Sequence, residues 1–219
     1  MKITAVTQKK GIFYDVFVED EYFVTAPYET IFLHKIKPGA DFSLEDLLEF
    51  RYQVDVYTVR EKALSLLSFK AYTQKKLCEK LDRSLNQKKS FLEDSGEKRY
   101  PIELIEEVIE ALSQNGLLDD RDYARRYAKD LVHFKAFGKA RIRLELQKLG
   151  IARDIIDDTL EELEIDEAAA ITAIIQRKYR SLIQDEKGKQ KTIAALHRLG
   201  YAVYDVKAVI AQLGESDWP

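Results

Sequence analysis

The sequence predicts a mainly α protein, built of tandem three-helix units that form an elongated array of helical repeats, with a small N-terminal β-containing (α+β) head. Three observations predict it. Apolar residues recur at helical spacing along most of the chain beyond residue 53. The chain also matches itself at a fixed offset. Only the first fifty or so residues alternate with the period of two that a strand requires.

The head spans residues 1–52. Ile12, Tyr14, Val16 and Val18 alternate as one face of a strand, and Lys9-Lys10-Gly11 reads as the turn before it. Lys2 to Gln8 is the preceding strand and Tyr22 to Thr25 the following one. Short helices are expected near Pro27 to Lys35 and Ser43 to Phe50. Pro27 suits a first helical turn, Pro38-Gly39 makes a break, and Ser43 with Asp46 approximates a capping box.

Three repeats follow, at 53–116, 117–165 and 166–213, with a tail at 214–219. Phe137 to Leu163 aligns without gaps on Lys187 to Leu213 at an offset of 50, with seven identities in 27 positions. Chance would give roughly one or two, and Ile156/Val206 and Leu160/Ile210 keep apolar character at helical spacing. A fainter copy places Leu77 and Leu81 where Ile142 and Leu146 stand, ahead of an insertion from Gln87 to Tyr100.

Each unit reads as three helices. In the central one, Asp119 and Asp120 occupy the N-cap and first turn, and Tyr123, Tyr127 and Leu131 follow at i, i+4 and i+8. Gly138 breaks the chain. Ile142, Leu146 and Leu149 then form one apolar face, and Gly150 supplies the positive φ of a helix C-terminus. The third helix buries Ile156, Leu160 and Leu163 and exposes Asp154, Asp158 and Glu161. So short a unit cannot bury its own apolar stripe, which is why such units stack.

Composition limits the function. With 219 residues, 46% apolar and 33% charged, the chain buries a sizeable core. No apolar run approaches a membrane span, the start lacks a signal peptide, and the lone Cys78 has neither a disulfide nor a metal partner. A cytoplasmic protein is expected. His34, His133 and His197 fall in separate segments without metal-ligand spacing. Gly188-Lys189 with Thr192 lacks the upstream glycine and strand of a phosphate loop, and Asp119-Asp120 is explained by capping rather than catalysis. With no nucleophile elbow or dinucleotide fingerprint either, the chain is expected to have no catalytic residues, cofactor or metal.

The net charge of −3 conceals a pattern. Lys70 to Lys89, Arg125 to Lys148 and Arg177 to Arg198 hold seven, eight and seven basic residues against two acids each. Acidic stretches separate them: Glu103, Glu106, Glu107 and Glu110, then Asp154, Asp157, Asp158, Glu161 and Glu162. Arg121, Arg125 and Lys129 form one helical stripe, and Lys139, Arg143 and Lys148 accompany the next helix. With Arg126, Lys135, Arg141, Lys187, Lys189, Lys191 and Arg198 they are the candidate binding residues. Each alone reads as a solvated charge, and the set reads as a docking surface.

Asp119-Asp120-x-x-Tyr123-Ala124, then Gly138-Lys139 leading through Arg141, Ile142, Leu146 and Leu149 to Gly150-Ile151, resembles the central repeat of RecX regulators. Ala63-Leu64-x-x-Leu67 followed by Tyr72-Thr73-x-x-x-Leu77-x-x-Lys80-Leu81 is similar to that family's first repeat. Tyr123 stands where Phe is more usual, and the Gln87 to Tyr100 insertion departs from the pattern. The resemblance implies a non-enzymatic monomer that lodges in the groove of the RecA filament on DNA and restrains recombination, ATP hydrolysis and coprotease activity. Some direct DNA contact is allowed by it, and the candidate cations above would carry the filament contact. Two alternatives stay open: a direct DNA binder of helix-turn-helix type, against which a pI near 5.8 argues, and a scaffold for an unrelated partner.

Overall fold

The structure, a computed structural model, describes residues 1–86 and 100–215. Most of the Gln87 to Tyr100 insertion, the basic residues Lys88 and Lys89, and residues 216–219 of the tail lie outside the described residues. Ten α-helices and one three-stranded sheet are present among the described residues, arranged as two compact units. The first comprises Met1–Ala71 with Leu77–Asn115, and the second comprises Tyr72–Lys76 with the chain from Gly116 onward. Three-helix units behind a β-containing head are the fold that the sequence predicts.

In the first unit, β1 (Ile3–Lys10), β2 (Phe13–Val18) and β3 (Glu21–Pro27) form an antiparallel meander in that order. Glu19 and Asp20, both at positive φ, close the two-residue loop between Val18 and Glu21, the pattern whose twist matches that of the flanking strands. The alternation seen in the sequence buries Val16, Val18, Val24 and Ala26 on one face, against Ile31 of α1 (Tyr28–Leu33) and Leu47, Phe50 and Val54 of α2 (Leu44–Leu67). Ser43 caps α2 in a reciprocal capping box with Asp46, as expected.

The helix expected to end near Phe50 runs on to Leu67. Leu47, Phe50 and Val54 lie on one side of it, and Val59 and Ala63, also buried, lie on roughly the opposite side at 100° per residue. The apolar stripe changes sides partway along, so a search for one continuous face stops short. Beyond it, α3 (Gln74–Asn86) buries Leu77 and Leu81, and α4 (Ile102–Gln114) buries Leu104, Ile105, Val108, Ile109 and Leu112. The side-chain amide of Asn86 donates to the Tyr100 carbonyl at 2.9 Å and accepts from the Tyr100 N–H at 2.8 Å, so the chain on either side of the insertion is joined there.

The second unit holds two successive three-helix blocks. One is α5 (Asp120–Lys135), α6 (Lys139–Lys148) and α7 (Arg153–Glu162). The other is α8 (Glu167–Ile174), a π-helical turn at Ile175–Tyr179 and a 3-10 turn at Leu182–Gln184, then α9 (Glu186–Arg198) and α10 (Val203–Glu215). The offset of 50 holds in three dimensions. Ile142/Thr192, Leu146/Leu196, Ile151/Tyr201, Ile156/Val206, Thr159/Val209 and Leu160/Ile210 are all buried. Both second helices end in the same Schellman motif. Gly150 and Gly200, at φ +80° and +96°, donate to Gln147 and His197, and Ile151 and Tyr201 donate to Leu146 and Leu196. The first helices match at 47 residues, by their N-caps Asp119 and Asp166, and the irregular stretch between α8 and α9 takes up the difference.

A staple recurs within this unit. The Gln74 N–H, at the start of α3, donates to the Asp120 carboxylate at 2.9 Å, and the Lys139 N–H, at the start of α6, donates to the Glu167 carboxylate at 3.0 Å. Each time, a first-turn acid of one helix caps a helix of the preceding repeat and satisfies an N–H that its own helix leaves unpaired. Beside each cap sits a second bond. Thr73 Oγ1 donates to the Leu149 carbonyl at 2.8 Å, and the Gly138 N–H donates to the Leu199 carbonyl at 2.8 Å. Tyr201 Oη adds a bond to the Ala136 carbonyl at 3.0 Å.

Candidate partner-binding surface

The candidate cations divide by what they face. On α5, Arg121 bonds Asp158 at 2.5 Å, and Arg125 grips Glu162 through two parallel bonds of 2.7 and 2.8 Å. Arg143 of α6 pairs with Asp157. These three pairs reach across to α7, using Asp158, expected on a solvated face, and Asp157 and Glu162 of the same acidic stretch. The fork holds the Glu162 carboxyl below its ordinary range, chiefly through the hydrogen bond from Arg125. Others pair along their own helix: Arg126 with Asp122, Arg141 and Lys148 with Glu145, and Lys189 with Glu186.

Lys129, Lys135 and Lys139 have no ion-pair partner among the described residues, and neither do Lys187, Lys191 and Arg198. Lys187, Lys191 and Arg198 are exposed on α9 at i, i+4 and i+11, which puts them on one stripe of the helix. For Lys191 and Arg198 the reason lies on α9 itself: their counterparts Arg141 and Lys148 pair with Glu145, and Ala195 stands in its place. The third helices differ as well. Where α7 carries Asp157, Asp158 and Glu162, α10 carries Lys207, Ala208 and Gln212. On the opposing helices, Arg121, Arg125 and Arg143 are replaced by Ala168, Thr172 and Ile193. Residues 166–213 hold eight basic residues against five acids, and residues 117–165 hold ten against eleven. The third repeat is therefore the one with uncompensated positive charge. The paired changes between repeats were the signal in the sequence that separates clamp from free charge.

The remaining chemistry-bearing residues are accounted for structurally. Asp119 caps α5 as expected, whereas Asp120 is buried at the staple, where desolvation pushes its carboxyl up against the opposing pull of the Gln74 N–H. Thr192 is buried and donates to the Gly188 carbonyl one turn back, leaving no hydroxyl for a phosphate. Burial, then the carboxylates of Glu106, Asp82 and Glu79, push the Cys78 thiol up and away from the reactive thiolate. Among the described residues, no group of three or more His, Cys, Asp or Glu could hold a metal ion, and no helix is long and apolar enough to cross a membrane.

Comparison with known proteins adds a lineage to this geometry. Residues 119–160 match the family described as "RecX, second three-helix domain". A "Regulatory protein RecX" from Halorhodospira halophila is 30% identical over 160 residues, covering 73% of this chain and 90% of the relative. One from Clostridium tetani is 26% identical over 208 residues, covering 93% of this chain and 89% of the relative. Among solved structures, "Crystal structure of regulatory protein RecX" matches with a TM-score of 0.73 at 19% identity, over 95% of this chain and 98% of that one. "Crystal structure of RecX from Lactobacillus salivarius" matches with a TM-score of 0.59 at 22% identity, over 74% of this chain and 97% of that one. At these identities the structural likeness is one of fold.

Proposed function

The chain belongs to the RecX family of regulatory proteins, and from that premise we propose that it binds the filament RecA recombinase forms on DNA and modulates it, mostly by inhibition. The outputs affected are recombination, DNA-dependent ATP hydrolysis and coprotease activity, in DNA repair and the SOS response. The protein acts in the cytoplasm as a monomer and contributes no catalytic group or cofactor of its own. Its head and three repeats (1–52, 53–116, 117–165 and 166–213) are the working parts.

The observation that carries this reading is the α9 stripe of Lys187, Lys191 and Arg198, cations with no ion-pair partner among the described residues. A nucleoprotein filament presents phosphates and acidic side chains, and unpaired cations steer and hold a polyanionic partner, whereas paired ones are already neutralised. Lys129, Lys135 and Lys139 join them. Arg121, Arg125, Arg126, Arg141, Arg143, Lys148 and Lys189 serve the fold first, since contact with a filament would have to compete with their carboxylates.

The test is a titration of the protein into RecA assembled on single-stranded DNA. The ATPase should fall as protein is added, and the protein alone should hydrolyse nothing. The same stripe favours a second reading, direct DNA binding. It is separated by measuring affinity for bare and RecA-coated DNA side by side: equal affinities would make this a DNA-binding protein, and much tighter binding to the coated strand supports a filament regulator.

A further inference from the structure

Two of the most exposed apolar side chains occupy the same place in successive repeats. Phe69, just beyond the C-terminus of α2, is 85% exposed, and Phe134, in the last turn of α5, is 73% exposed. They stand 65 residues apart, the offset that superimposes Leu77 and Leu81 on Ile142 and Leu146. The run that follows matches, with only Tyr exchanged for Phe: Phe69-Lys70-Ala71-Tyr72 and Phe134-Lys135-Ala136-Phe137. The second aromatic of each run, Tyr72 or Phe137, is half-buried, whereas the first ring and its lysine face solvent.

Repetition of a buried residue needs no explanation beyond the core, but repetition of an exposed phenylalanine does. Exposed positions elsewhere in these two repeats have drifted: Lys75 and Glu79 correspond to Ala140 and Leu144. A bare phenyl ring gains nothing for the fold and loses favourable transfer out of water, so something outside the chain maintains it. We infer that Phe69 with Lys70 and Phe134 with Lys135 are two equivalent docking knobs, each fitting an apolar pocket with a carboxylate at its rim, on a partner that repeats this pocket along a polymer of identical protein subunits.

A polymer is inferred because the knob itself is repeated. A protein pocket fits better than nucleic acid, since the ring beside Phe134, that of His133, stands edge-on to it at 4.8 Å and 83° and so makes no parallel base-stacking platform. In addition, exposed Asp130 lies one turn before Phe134 on α5, where it would repel phosphate. The third repeat has no phenylalanine between Asp166 and Leu213, so the device is two-pronged. This inference rests on the filament reading above and specifies its contact.

The experiment uses the full-length chain with F69A, F134A and the double variant, bound to RecA filaments on single-stranded DNA and, separately, to bare single-stranded DNA. Thermal melts should be nearly unchanged, because Phe69 and Phe134 are largely exposed and the ring contact that Phe134 makes is with the exposed His133. Each single variant should bind the filament about tenfold more weakly, the order expected for losing one buried ring, and the double variant about a hundredfold more weakly. Affinity for bare DNA should be unaltered, and F69L and F134L should recover part of the loss. If the parent itself fails to bind filaments, the functional reading falls and the knobs with it. If the parent binds and the double variant binds equally well, the knobs alone are wrong. Equal losses on bare DNA would make the rings base-stacking groups, and a change in self-association with filament affinity intact would make them a contact between copies. Either result overturns the inference.

Discussion

The second and third repeats share one interior and carry opposite exteriors. Their cores superimpose position by position, down to the hydrogen bonds of the Schellman turns after Leu149 and Leu199. Their surfaces share little. The second repeat ties α5 and α6 to α7 with ion pairs, and the third has exchanged both members of each; with Ala195 in the place of Glu145, α9 also keeps a bare cationic stripe. Burial constrains residue type tightly and exposure hardly at all. A repeat can therefore be copied for its fold and then turned, by its surface alone, into a clamp or a binding face.

The two Schellman glycines should show the largest difference that stability measurements can resolve. An added Cβ at Gly200 would lie 2.4 Å from the Arg141 backbone N, whereas at Gly150 it would meet the Lys75 side chain, its Cδ at 2.2 Å and its Cβ at 2.7 Å. Both sites hold positive φ, which costs a non-glycine residue about 1 kcal/mol. Gly150→Ala should lose somewhat more than that in urea melts, because Lys75 must shift, and Gly200→Ala should lose the most, about 2 kcal/mol or more, because the Arg141 backbone itself must move. Equal losses would show that the two joints are not built as described.

A smaller effect is expected at the staple. Asp120→Ala should destabilise by about 1 kcal/mol, the usual cost of a lost cap. Asp120→Asn keeps the acceptor for the Gln74 N–H without burying a charge, and at pH 7 it should match or exceed the parent. The sign follows from the raised pKa of Asp120: the folded state binds its proton more tightly than the unfolded state. This group's contribution is therefore most favourable below the ordinary aspartate range and is lost as pH rises through the folded value. Melts of the parent and Asp120→Asn over pH 3 to 7 should diverge in the Asn variant's favour as pH rises. A parent that gains on the variant with rising pH would contradict the assignment.

How much of this was legible in the sequence depends on what each feature is made of. The strands of the head, the capping box at Ser43, the N-cap at Asp119 and the glycine-closed helices were readable, because each depends on neighbours in the chain. The length of α2 was not, since its apolar face switches sides between Val54 and Val59. The candidate cations were found as a class but could not be sorted, because whether Arg125 meets a partner or Glu162 depends on packing between helices 37 residues apart. Asp120 was read only as a first-turn acid, and its bond to Gln74 spans 46 residues.

The measurement that bears most directly on the central claim compares charge removal in the two repeats. Lys187→Gln with Lys191→Gln and Arg198→Gln strips the unpaired stripe, and Arg121→Gln with Arg125→Gln and Arg143→Gln opens the clamp. Affinity of each for RecA filaments is read across a salt series, beside its melting temperature. The stripe variant should keep its melting temperature, bind more weakly at low salt, and lose about two units of slope in log K against log salt, as about 0.7 per lost single-strand phosphate contact implies. The clamp variant should melt lower and keep the parent's slope. A clamp variant that flattens the slope, with a stripe variant indistinguishable from the parent, would place the binding charge in the second repeat and not on α9.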